Sequence, residues 1–261
     1  MCGRFGLGNP ERLDGFLYRH SFPGVPAVAP RFNITPSADI PIVLTGERDA
    51  ITAAARWGLV PSWANDANIG ARLVQARGET AHEKPAYRRA LKSRRGLIPA
   101  DLFYEWQAVA GQKLQQPWCI RLRNEETFAM GALWEYWPTS IDGEGAPQFS
   151  CCIVTTASNH TLKHVHERMP LIIAETDYDA WLNVDTNADD VRSLIQPFPH
   201  DRLYAYKVST WVNSPGHDDA RCIAPIDESA ADAIDETQNA PASKTSLKTN
   251  RADSGQIDAF G

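Results

Sequence analysis

The chain opens Met1-Cys2-Gly3-Arg4, and the chemistry available there depends on whether Met1 stays. Cells commonly trim Met before a small residue, and Cys2 would then carry a free α-amine and a thiol on adjacent carbons. Such a 1,2-aminothiol condenses with an aldehyde: the amine forms an imine, and the thiol closes a thiazolidine ring. At pH 7 roughly a sixth of a reference α-amine is neutral, against about 3% thiolate for a reference Cys, so the amine attacks first. This chemistry needs proton shuttles and neither metal nor cofactor. Gly3 lets the backbone turn closely, and Arg4 sets a cationic fork beside the thiol. The alternative is a frayed terminus with an idle thiol.

Two segments offer the shuttles. In "DLFYEWQ" (101–107), strand alternation puts Glu105 on the face that Phe103 occupies. A carboxyl there is either satisfied by an Arg or functional, because burial raises its pKa toward the range where it exchanges protons. "HTLKHVHERMP" (160–170) holds three His. His160 and His164 have a helical metal spacing, but no third ligand is specified and no metal is expected. His166 and Arg168 stand two apart before Pro170. In an extended segment they share a face, with a proton donor beside a phosphate-holding fork. Trp63 follows a Pro-Ser turn and is the aromatic most suited to exposure; with Pro36 it can stack on bases or pack in the core.

The elements that must position these groups are mostly strands. Strand-like runs cover 40–44, 51–59, 102–107, 118–122, 127–134 and 149–156, and helical patterns cover 83–93 (Pro in the first turn) and 174–184 (after a Thr cap). Gly111 and Gly143-Gly145 mark loop tips. Many strands, few helices and no βα alternation give an α+β domain with a curved, largely antiparallel sheet. No Rossmann or P-loop signature is present. Residues 1–226 form the domain, and the polar 227–261 read as a disordered acidic tail.

Five Cys without a C-x-x-C pair, no signal peptide and no membrane-length apolar run suit a cytoplasmic protein. The net charge of −6 looks wrong for a nucleic-acid binder, but the tail carries seven acidic and three basic residues, which leaves about −2 on the body. Within the body, 71–96 holds eight Lys/Arg against two Glu, a basic surface compatible with phosphate contacts or simply solvated.

Together the segments "MCGRF", "RFNITPS", "RWGLVPSWA", "ARGETAHEKPAYR", "RRGLIPADLFYEW", "HERMP" and "VSTWVNSPGHDDARCIAPI" closely resemble the SRAP family (SOS response-associated peptidase), better described as abasic-site shielding proteins. They occur in family order across 2–226. The resemblance implies a mixed fold of β-barrel type with a few flanking helices and a groove for single-stranded DNA. It implies a sensor in the DNA damage response: Cys2, freed of Met1, forms a covalent thiazolidine crosslink with the ring-opened abasic site and shields it. Glu105 would position the α-amine and move protons, and His166 would assist ring opening. Arg4, Arg77 and Arg168 would hold phosphates, with Pro36 and Trp63 against flanking bases. The family usually has Asn where this chain has Gln75, which keeps the amide but adds a methylene; Gly78, where a larger residue is common, is a candidate compensation. The expected partner is single-stranded DNA containing abasic sites, bound by a monomer without cofactor or membrane. The competing readings are a Cys-dependent autopeptidase releasing its own Met1, an N-terminal-Cys glutaminase, and a damage-binding module without chemistry.

Overall fold

All six strand-like runs form strands. The computed structural model describes residues 2–24, 28–46, 49–111, 113–137 and 148–226. Met1, the Gly143-Gly145 tip and the 227–261 tail therefore lie outside the described residues. In chain order the strands are β1 (Phe5–Leu7), β2 (Arg31–Ile34), β3 (Asp39–Leu44), β4 (Ile51–Trp57), β5 (Gln75–Arg77), β6 (Arg95–Ala100), β7 (Leu102–Gln107), β8 (Gln116–Leu122), β9 (Phe128–Trp137), β10 (Gln148–Ala157), β11 (Arg168–Pro170), β12 (Ile172–Ile173) and β13 (Leu203–Lys207).

Strand β10 pairs with β4 on one side and β9 on the other, and β4–β3–β6–β9 are joined in that order. Five strands thus close into a barrel, which leaves no free edge among them. All of these pairings are antiparallel except β10 with β4; β5 also runs parallel to β10. A second sheet has the order β13-β8-β7-β1-β2, entirely antiparallel. The fold is α+β, as the strand-rich sequence implies.

Strand β7 is buried on both faces, and this fixes the site. Phe103 belongs to the main core, with Phe5, Ile120 and the barrel interior. Leu102 and Tyr104 face a smaller core under the closing segment, with Val208, Val212 and Cys222. Strand β1 lies between β7 and β2 with Phe5 opposite Phe103, and the Tyr104 N–H donates to the Arg4 carbonyl at 3.0 Å. That antiparallel register carries Cys2 back along β7 toward Glu105.

Helices are short and peripheral: α1 (Pro10–Arg19), α2 (Gly78–Ala81), α3 (Arg88–Ser93), α4 (Tyr178–Leu182) and α5 (Ala188–Ser193). The sequence reading overlooked α1, which starts with Asn9 Oδ1 accepting the Arg12 N–H and Pro10 in the first turn. The pattern at 83–93 yields only α3, because residues 85–87 form a separate turn, with Lys84 O accepting the N–H groups of Tyr87 and Arg88. At 174–184 a 3-10 turn (Glu175–Asp177) precedes α4, and Thr176 turns its hydroxyl to Asp177 rather than capping a helix. No helix among the described residues is long and apolar enough to cross a membrane.

Candidate active site

Four residues from distant parts of the chain meet at the N-terminus. Cys2 is fully buried. The Gln75 side-chain amide, from the first residue of β5, donates to the Cys2 carbonyl. Gln75 is itself held in place, since the Tyr87 hydroxyl donates to its backbone carbonyl at 2.9 Å. Glu105, 1% exposed on β7, is close enough to Cys2 for its charge to act on the thiol. His166, in the turn before β11, brings Nδ1 to 3.8 Å from Glu105 Oε2.

The electrostatics follow from burial. Desolvation raises the Glu105 carboxyl from 4.5 to about 7, so it can both give and take a proton at neutral pH. Burial, and then the Glu105 charge, push the Cys2 thiol well above its usual value, which keeps it protonated. Burial also lowers His166. The Arg168 N–H donates to His166 Nδ1 at 3.0 Å. Nδ1 also lies 3.2 Å from the Arg168 carbonyl, so it can accept the Arg168 N–H when the ring is neutral with its proton on Nε2, and donate to the carbonyl when the ring is protonated; Nε2 carries a proton in both of these forms.

The residues expected to bind DNA are distributed differently. Arg77, at the end of β5, is exposed and makes no side-chain hydrogen bond or ion pair among the described residues. Trp63 is 57% exposed and rests its indole N–H on Pro85 O at 3.5 Å. Pro36 is half-buried, just before Ser37 with its positive φ. Arg4 is half-buried and already has partners: it donates to Asn33 Oδ1 (2.9 Å), Val212 O (2.7 Å) and Asn213 O (3.2 Å). The Arg168 guanidinium pairs with Glu79. His160 faces His200 and His164 faces Trp118, so the spacing of four brings the two imidazoles to different partners. Of the eight cations in 71–96, Arg94 pairs with Glu135, and Arg95 is buried with its guanidinium on four backbone carbonyls. The other six are exposed.

A cavity of about 980 Å³ lies elsewhere, lined by residues such as His20, Phe22, Asp179 and Asp190, and includes none of these groups. Chemistry rather than volume marks the site.

Residues 1–215 match the family model described as SOS response associated peptidase (SRAP). The chain belongs to the SRAP family. Among its SRAP relatives, the abasic site processing protein YoaM of Bacillus subtilis (strain 168) is 39% identical over 226 residues, which span 85% of this chain and 97% of YoaM. The abasic site processing protein HMCES of Rattus norvegicus is 28% identical over 272 residues, spanning 87% of this chain and 76% of its own. A crystal structure of a protein from Bacteroides thetaiotaomicron shares the fold with a TM-score of 0.75 at 20% identity, covering 86% of this chain and 100% of that one.

Sequence reasoning on the SRAP motifs missed how the closing segment grips the N-terminus. Buried Asn33 donates its amide to Val212 O, Ser214 O and His217 O. Asp218 accepts from the N–H groups of Phe32 and Asn33 and from Arg31. A polar Asn inside the apolar stretch "RFNI" was the available signal. Gly78 also has a packing reason of its own: a Cβ there would collide with Ile195 Cγ2 and approach Val154 Cγ1 at 3.2 Å.

Proposed function

We propose that this SRAP protein captures abasic sites in single-stranded DNA as a covalent thiazolidine through Cys2, once Met1 has been removed. The observation that carries the reading is the convergence of Cys2, Gln75, Glu105 and His166, which come from four separate segments of the chain. The relatives named abasic site processing proteins supply the substrate class.

In the first step the protonated form of His166 gives its Nε2 proton to the ring oxygen of the closed sugar while the Glu105 carboxylate takes the proton of the anomeric hydroxyl; the C1′ aldehyde is exposed, and Glu105 passes that proton back to His166, 3.8 Å away. Glu105, with its pKa about 7, takes a proton from the Cys2 α-ammonium. The free amine adds to the aldehyde, Glu105 returns a proton to the departing hydroxyl as water leaves the carbinolamine, and it takes back the N–H proton as the imine forms. The thiol then adds across C=N: an S–C bond forms, and the thiol proton passes to nitrogen. Because the thiol pKa is raised, it enters as S–H in this second addition, which fits attack by the amine first. The same burial disfavours a thiolate nucleophile, and with it the autopeptidase reading. Gln75 fixes the Cys2 carbonyl and therefore the direction of the adjacent α-amine.

The test is incubation of Met-trimmed protein, verified by intact mass, with an oligonucleotide carrying one abasic site. The expected result is a denaturation-resistant adduct that Cys2→Ala lacks. No adduct from correctly trimmed protein overturns the proposal. Equal protection of the lesion by Cys2→Ala would instead make the protein a binding module without chemistry.

A further inference from the structure

Arg168 already holds an anion. Its Nη1 and Nη2 reach Glu79 Oε1 and Oε2 at 2.7 and 2.9 Å, a two-point pairing. Nη2 also donates to Thr155 O at 2.8 Å and Oγ1 at 3.2 Å, so one side of the fork is built into β10. The Arg168 side chain is 15% exposed and that of Glu79 is 45% exposed. The solvent-facing edge of the guanidinium is therefore capped by a carboxylate.

A DNA phosphate offers the same two-oxygen geometry that this carboxylate now satisfies. The pair also stands close to the reacting residues. Arg168 donates its backbone N–H to His166 Nδ1, and Glu79 lies two residues beyond the exposed Arg77 and four beyond Gln75. Carboxylate and phosphate therefore compete for one fork beside the proposed lesion site.

The geometry points to Glu79 as an internal stand-in for phosphate, which a strand must displace before Arg168 can bind it. This inference rests on the DNA-capture reading above. Displacement weakens every non-covalent complex, whereas a lesion is retained by its covalent bond. The effect is discrimination: intact single strands leave, and abasic strands stay. Glu79 is thus a specificity-determining residue rather than a catalytic one. A rival role for the same pair is a staple across β10, whose end pairs with β5 on one side and β11 on the other. The two roles predict opposite signs when the carboxylate is removed.

The experiment measures binding of the full-length, Met-trimmed protein to a fluorescent single-stranded oligonucleotide without a lesion, over a range of salt concentrations. Glu79→Gln and Glu79→Ala are compared with wild type, each checked for folding by thermal melting, so that the readout does not hang on one variant. The expected result is tighter binding to the intact strand by ~1.5–5-fold, with a salt dependence steeper by about 0.7 in log–log slope for one added phosphate contact. Glu79→Asp keeps the charge and should stay near the wild-type slope. Arg168→Gln added to Glu79→Gln should erase the gain. Equal or weaker binding by the neutral variants, with the slope unchanged, overturns the inference in favour of the staple. If wild type still yields its adduct with an abasic oligonucleotide in that case, the crosslinking proposal stands alone; if wild type neither binds nor crosslinks, both fail.

Discussion

Glu105→Gln tests the electrostatics of the site without using its chemistry. Burial raises the carboxyl from 4.5 to about 7, and at 1% exposure solvent does little to screen it. A folded-state pKa above the unfolded value means that folding favours the protonated form, so stability falls as pH rises from 4.5 through about 7. The full gap corresponds to about 3 kcal/mol. Relative to wild type, a glutamine that cannot ionise should therefore gain about 1 kcal/mol at pH 5 and about 3 kcal/mol at pH 8, levelling off above pH 7. His166 contributes with the opposite sign. Its pKa is lowered by burial, so its stabilising term is lost as pH falls, but the term is present in both proteins and largely cancels in the difference. The Cys2 thiol titrates above this window. The assay is urea denaturation at several pH values from 5 to 8, with both proteins in the same N-terminal state by mass. A difference that stays flat across that range, or a variant less stable at pH 8, would refute the claim that Glu105 is held by desolvation. The same variant should slow adduct formation by about 10²–10⁴-fold, the usual worth of a general acid–base group.

Other substitutions separate positioning from packing. Gln75→Ala removes the donor to the Cys2 carbonyl and should slow crosslinking by about 5–10-fold, the equivalent of one hydrogen bond; single-turnover gels read this directly, and an unchanged rate would remove Gln75 from the site. Asn33→Ala leaves three carbonyls without their amide donor, and urea melts should show a loss of about 2–4 kcal/mol. Gly78→Ala should cost about 1–3 kcal/mol through overpacking against Ile195, with part recovered in Gly78→Ala/Ile195→Ala; a neutral Gly78→Ala would leave the Gln75 compensation idea as the better account of that glycine. In the native protein, Cys2 should react with iodoacetamide at pH 7 far more slowly than a free thiol, as its buried, raised-pKa state requires.

The strands were legible because alternation and β-branched or aromatic content act over a few neighbouring residues, and β7 was read to the residue at both ends. The pairing of β10 with β4, which turns a curved sheet into a closed barrel, joins segments about a hundred residues apart, and no local pattern encodes it. Site residues divided in the same way. Glu105 could be placed because its face followed from its own strand, and its companion Phe103 does face the main core.

The arginines were harder, since a cation's role is set by the acceptor it finds rather than by its type. Arg4 finds carbonyls more than 200 residues away, and Arg95 finds four at the ends of short elements. Short helices and turns leave their last carbonyls unsatisfied. A buried guanidinium with five donors can satisfy several at once, so a fold with many short elements will consume arginines internally. That is the physical reason for treating the basic run at 71–96 as six surface cations rather than eight. By the same reasoning, exposed Arg77 should contribute more to the salt dependence of DNA binding than Arg4. Arg77→Gln should lower the slope by about 0.7, whereas Arg4→Gln should lower thermal stability while moving the slope little. The reverse pattern would show that Arg4 leaves its carbonyls for phosphate when DNA binds.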